Sequence, residues 1–143
     1  MGCAKAFKET NQTLEHVRSN TMMRKQKILL IDDDLIQLSM AEYMLMDHYE
    51  VIIAQSGSEA LELLRSGVVP HLILLDIVMP SMDGWETYSK IRTLGFLVDV
   101  PIVFLTVLNG PKDHKYAQEI GAVDYITKPF AKRDLLARIA TII

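Results

Sequence analysis

From Lys27 onward, short runs of aliphatic and β-branched residues alternate with longer stretches in which apolar residues recur at helical spacing. The runs are KILLI (27–31), YEVIIA (49–54), HLILLD (71–76), PIVFLT (101–106) and AVDYIT (122–127). The intervening stretches, 34–47, 57–66, 84–94, 111–120 and 131–141, read as helices. The runs are continuously apolar instead of alternating, as expected of strands covered on both faces. Five βα units of this size predict an α/β fold: a five-stranded parallel sheet with helices on both faces and right-handed crossovers.

Local signals place the helix ends. Asp34 with Gln37, Ser56 with Glu59, and Asp83 with Glu86 have capping-box spacing. Pro111 suits a first helical turn, and Gly121 the left-handed C-cap of the fourth helix. The first helix is apolar almost all round. Gln37, Met40, Ala41, Met44 and Leu45 are expected to form its inward stripe, which leaves Leu35, Ile36, Tyr43 and Met46 outside it. Those four are either scattered surface residues or a docking patch, for which methionine is suited.

Residues 1 to about 24 are polar and aperiodic and are expected to form a flexible extension, with 25–143 as a single domain. The opening MGCAKA has the outline of an acylation signal, but Ala6 stands where Ser or Thr is wanted. Half the chain is hydrophobic and 23% is charged, the balance of a globular protein. A net charge of -3 argues against a basic nucleic-acid binder, and the single cysteine excludes an internal disulfide. No apolar run has the length of a membrane span, and no signal peptide opens the chain, so the expected compartment is the cytoplasm.

The chemistry begins with Asp76. It ends the hydrophobic run of LILLDIVMPSMDG (72–84), where an ionised acid is costly unless compensated. In open parallel sheets, ligands bind beyond the carboxyl ends of the strands. Asp32, Asp33 and Asp34 lie beyond the first strand, Asp76 ends the third and Thr106 the fourth, and Lys128 follows Tyr125 on the fifth. Capping accounts for Asp34 and Asp83. Asp32, Asp33 and Asp76 crowded together would raise one another's pKa unless a cation intervenes, and hard carboxylate oxygens suit Mg2+. A metal beside a carboxylate, with an ammonium and a hydroxyl opposite, is equipment for phosphoryl transfer. Asp76 would be the nucleophile, Lys128 would pair with one phosphoryl oxygen, and Thr106 would donate to another.

Together, ILLIDDD, LILLDIVMPSMDG, PIVFLT and GAVDYITKPF resemble the motifs of a response-regulator receiver domain of two-component signalling, over roughly residues 25–143. The resemblance implies a flavodoxin-like (βα)5 fold with Asp76 as phosphoacceptor. It implies Mg2+ bound by Asp33 and Asp76, assisted by Asp32 through water and completed by the backbone carbonyl of Val78. Tyr125 would be the aromatic switch, swinging inward as Thr106 moves, and the Lys128–Pro129 bond would be cis. The implied partners are a sensor histidine kinase or phosphotransfer protein and an output domain or effector reached through the 111–143 face. Neither direct nucleic-acid binding nor a membrane is implied.

Val107 is bulkier than the small residue usual in the family, and Val78 and Leu108 are apolar where many relatives are polar. These departures predict a shielded Asp76 and a long-lived acyl phosphate. Two rivals remain. An aspartyl-phosphate phosphohydrolase would want a second Asp two residues after the nucleophile, where Val78 stands. A receiver-shaped interaction module that is never phosphorylated would not need the full pocket. Trp85 is expected to serve packing, and His16, His48, His71 and His114 have no metal-binding spacing. The apolar end ARIATII suggests a chain that continues into an output domain, with a stand-alone regulator as the alternative.

Overall fold

The computed structural model describes residues 24–143. Of the extension expected at 1–24, only Arg24 falls among them. The elements are β1 (Lys27–Ile31), α1 (Leu35–Leu45), β2 (Glu50–Ala54), α2 (Gly57–Arg65), β3 (Leu72–Leu75), α3 (Gly84–Arg92), a 3-10 turn at Gly95–Leu97, β4 (Ile102–Thr106), α4 (Pro111–Ile120), β5 (Asp124–Thr127) and α5 (Lys132–Ala140). The strands form one parallel sheet in the order β2-β1-β3-β4-β5. The predicted α/β architecture is therefore the observed one.

Alternate residues of each strand point to opposite faces, and each face has its own apolar layer. Leu29, Ile31, Ile73, Leu75, Ile102 and Phe104 pack on α2, α3 and α4 through residues such as Leu61, Leu64, Ile91 and Ala117. Ile28, Leu30, Leu72, Leu74, Val103 and Leu105 pack on α1 and α5 through Leu38, Ala41, Leu45, Leu135 and Ile139. Burial on both faces explains why β3 and β4 are apolar without interruption.

The caps behave as their spacing predicts. Asp34 accepts from the N–H groups of Ile36 and Gln37, Ser56 from Glu59, and Asp83 from Glu86. Gly121 has φ 104°, and Pro111 occupies the first turn of α4.

Some boundaries and one helix face differ from expectation. β2 starts at Glu50 because the Tyr49 N–H is still bonded to the Leu45 carbonyl, closing the turn after α1. β5 starts at Asp124, since the Ala122 N–H closes α4 on the Ala117 carbonyl. The inward stripe of α1 is Leu38, Ala41 and Leu45; Gln37 is only partly buried and Met40 is exposed. Leu35, Ile36, Tyr43 and Met46 are exposed as expected.

Candidate functional site

The strand order changes direction between β1 and β3, each of which has a neighbour leading away from the other, and the crevice at such a point is where open α/β sheets bind ligands. Ile31 pairs with Leu75 at the carboxyl ends of these two strands, so the next residues, Asp32 and Asp76, emerge side by side. The ladder continues as the Asp76 N–H donates to the Ile31 carbonyl at 2.9 Å. On the far side, Thr106 ends β4 opposite Thr127, and the Lys128 N–H donates to the Thr106 carbonyl at 2.8 Å. Backbone register alone therefore brings four chemically active residues from four strands to one rim.

The rim is closely packed. Asp32, Asp76 and Thr106 are buried, whereas Asp33 is exposed. Asp76 Oδ1 accepts from the Ile77 N–H at 2.7 Å. Its Oδ2 lies 3.6 Å from Lys128 Nζ, which also pairs with Asp32 Oδ2. Asp32 Oδ1 in turn accepts from the Asp34 N–H at 2.9 Å. Burial pushes the Asp76 carboxyl above the ordinary carboxylate range; the Lys128 ammonium opposes the shift, the Asp32 carboxylate adds to it, and the Thr106 hydroxyl lowers it. A buried carboxyl in that balance of charges responds strongly to any added positive charge.

Carboxylate oxygens of Asp32, Asp33 and Asp76 lie within 4.8 Å of one another, and all are hard donors. That set fits Mg2+, which takes few protein carboxylates and keeps several waters. Gly84 lets the loop close over the site: a Cβ there would lie 2.3 Å from the Asp76 carbonyl oxygen and 2.5 Å from the Ile77 Cα. The Gly84 N–H donates to the Ile77 carbonyl at 2.8 Å, drawing the N-terminus of α3 against the backbone of Asp76. Val78, two residues after Asp76, and Val107, next to Thr106, are exposed at 51% and 62%.

Tyr125 is turned inward. It is 9% exposed, and its hydroxyl donates to the Leu108 carbonyl at 2.8 Å. Burial, and then the carboxylates of Asp113 and Asp76, push this phenol up to about 12. Phe104 lies behind the ring at 6.2 Å between centroids, and Trp85 packs on Phe104 at 4.8 Å and on Tyr116 at 4.9 Å. Trp85 is a packing residue, as expected. The Lys128–Pro129 bond is cis.

One neighbour was missed: His114, whose ring centroid lies 3.9 Å from that of Tyr125. His71 is also engaged, its Nδ1 accepting from the Lys27 N–H at 2.9 Å.

An acidic crevice at the turn-back of a 2-1-3-4-5 sheet, faced by a lysine and a threonine, has the form of a receiver-domain pocket. The chain belongs to the response regulator receiver domain family, which it matches over residues 28–140. It is 38% identical to the probable transcriptional regulator ycf27 of Porphyridium aerugineum over 122 residues, 85% of this chain and 49% of that protein. It is also 38% identical to the transcriptional regulatory protein CpxR of Escherichia coli (strain K12) over 118 residues, 82% of this chain and 49% of that one. The chain thus spans about half the length of these curated relatives. The chemotaxis protein CheY4 of Vibrio cholerae superimposes with a TM-score of 0.78 at 29% identity, covering 83% of this chain and 99% of that structure. Among the described residues, no helix is long and apolar enough to cross a membrane.

Proposed function

We propose that the domain, residues 25–143, is a phosphorylation-dependent switch that takes a phosphoryl group on Asp76 from a phosphohistidine donor. The observation that carries this reading is the convergence of Asp32, Asp33 and Asp76 with the nearly buried Lys128 ammonium 3.6 Å from Asp76 Oδ2. A carboxylate oxygen of Asp76 attacks phosphorus, the P–N bond breaks, and its electron pair leaves with the donor imidazole. The product is an acyl phosphate. Asp33, Asp76 and the Val78 carbonyl would hold Mg2+, with Asp32 assisting through water, and the ion supplies positive charge for the transferring oxygens. Lys128 neutralises one phosphoryl oxygen, and Thr106 donates its hydroxyl to another.

The donor, a histidine kinase or a phosphotransfer protein, docks beside the pocket. The exposed Leu35, Ile36, Met40 and Tyr43 on α1 begin directly after Asp32–Asp34 and form an apolar surface for it. Val78 and Val107 cover the approach to Asp76, and Leu108 adds apolar lining. An attacking water therefore finds little polar help, and the acyl phosphate is long-lived. The output is regulated through the face formed by 111–143, in a cytoplasmic setting. The chain's own chemistry is limited to accepting and losing the phosphoryl group, with no turnover of a separate substrate.

Incubation with acetyl phosphate and Mg2+, followed by intact mass measurement, tests this. One added phosphoryl group is expected, absent in Asp76→Ala and in EDTA, and persisting far beyond seconds. A folded protein that gains no mass from either acetyl phosphate or a phosphohistidine donor would favour an unphosphorylated interaction module.

A further inference from the structure

Tyr125 is held in place by three contacts of unequal kind. Behind it is Phe104, fully buried and wedged against Trp85 and Tyr88 at 4.8 and 5.6 Å. Its hydroxyl has a single hydrogen bond, to the Leu108 carbonyl. In front of it stands His114, in the first turn of α4, with ring centroids 3.9 Å apart and planes inclined by 35°. His114 and Tyr125 together line two shallow clefts, one towards Gln118 and Asp124, the other towards Thr127 and Asp134. Space is therefore open on both sides of the pair. Rotation of the tyrosine outward gives up one hydrogen bond, the imidazole face and the packing on Phe104.

We propose that His114 is a positioning residue of the switch: its ring, stacked on Tyr125, holds the phenol inward. This rests on the reading of Tyr125 as the switch residue. The physical ground is that a close ring pair contributes beyond the area it buries, and that this contact is made only while the tyrosine points inward. Removing the imidazole shifts the inward-to-outward ratio by up to about tenfold, the scale of one such pair. Because α4 begins just after the loop that follows Thr106, a tyrosine held inward also keeps the Leu108 carbonyl, and hence that loop, in a fixed position.

The test is the χ1 rotamer population of Tyr125, read from three-bond scalar couplings in isotope-labelled protein without Mg2+ or phosphodonor. Wild type is compared with His114→Ala, His114→Gln and His114→Phe. A single inward rotamer is expected in wild type and in His114→Phe, which keeps a ring, and a mixture in His114→Ala and His114→Gln. Glutamine retains length and polarity, so it serves if the alanine variant folds poorly. Unchanged populations in both ringless variants, or a phenylalanine variant that behaves like them, would overturn the proposal. The same proteins are then titrated with beryllofluoride and Mg2+, a mimic of the phosphoryl group. The ringless variants are expected to bind it about twofold more weakly or less, since apparent affinity falls only with the fraction of protein in the inward state. Wild-type protein that binds no beryllofluoride would count against Asp76 as the phosphoacceptor while leaving the rotamer comparison intact.

Discussion

The carboxyl rim of the sheet has two halves held by different forces. Over β1 and β3, Asp32 and Asp76, with Lys128 reaching across from the end of β5, are held by charge and backbone hydrogen bonds. Over β4 and β5, Phe104, Tyr125 and His114 are held by ring packing, with one hydrogen bond from the phenol. Thr106 joins the halves: its carbonyl takes the Lys128 N–H, while its chain continues to Leu108, which takes the Tyr125 hydroxyl. The charged half can respond to a phosphoryl group and a metal. The aromatic half can respond only to a change of shape. In the function proposed above, their meeting at one strand end would let chemistry at Asp76 become a change of surface.

The strongest way to break the aromatic half alone is Phe104→Ala. It empties the centre of the ring cluster and is expected to cost about 3–5 kcal/mol, the range for a buried phenylalanine. Denaturant unfolding measures this, and the loss should be the same with and without Mg2+.

The charged half is probed by Asp76→Asn. Burial raises the Asp76 carboxyl, so the folded state holds this proton more tightly than the unfolded chain does. Stability therefore falls as pH rises from the ordinary carboxylate range through the raised value. The asparagine variant escapes that loss. It should melt a few degrees above wild type at pH 7 in EDTA, and the gap should close as pH falls towards about 4. Wild-type protein should recover most of the gap when Mg2+ is added. A gap that does not depend on pH would mean that some other feature of the variant is responsible.

The smallest effect expected is at the mouth. Val107→Ala leaves every charge and ring in place and opens the approach to Asp76. Phosphorylation by acetyl phosphate should quicken severalfold, with little change in melting temperature. No change in rate would remove Val107 from the account of shielding.

The two halves were not equally legible in the sequence. The acids after β1 and β3 and the hydroxyl and ammonium at the ends of β4 and β5 follow from strand order and register, so a correct list of strands places them together. The helix caps at Asp34, Ser56 and Asp83 were legible for a similar reason, since each is a contact within three residues. The face of α1 was not. In LIQLSMAEYML, apolar residues occur nearly all round, so the pattern has no phase of its own, and the choice of Leu38 over Met40 is made by the sheet. The His114–Tyr125 pair was hidden for another reason. The two residues lie on different elements, and their meeting depends on how α4 turns back at Gly121 into β5. No spacing in the chain encodes that.

The coupling between the halves is best tested by backbone amide shifts before and after saturation with beryllofluoride and Mg2+. The account predicts large changes at 32–34 and 76–79 and also across 106–127, including His114 and Tyr125. Asp76→Ala should abolish them all. Changes confined to the acidic residues, with 111–127 unmoved, would contradict the claim that the charge at Asp76 is read out through the aromatic half.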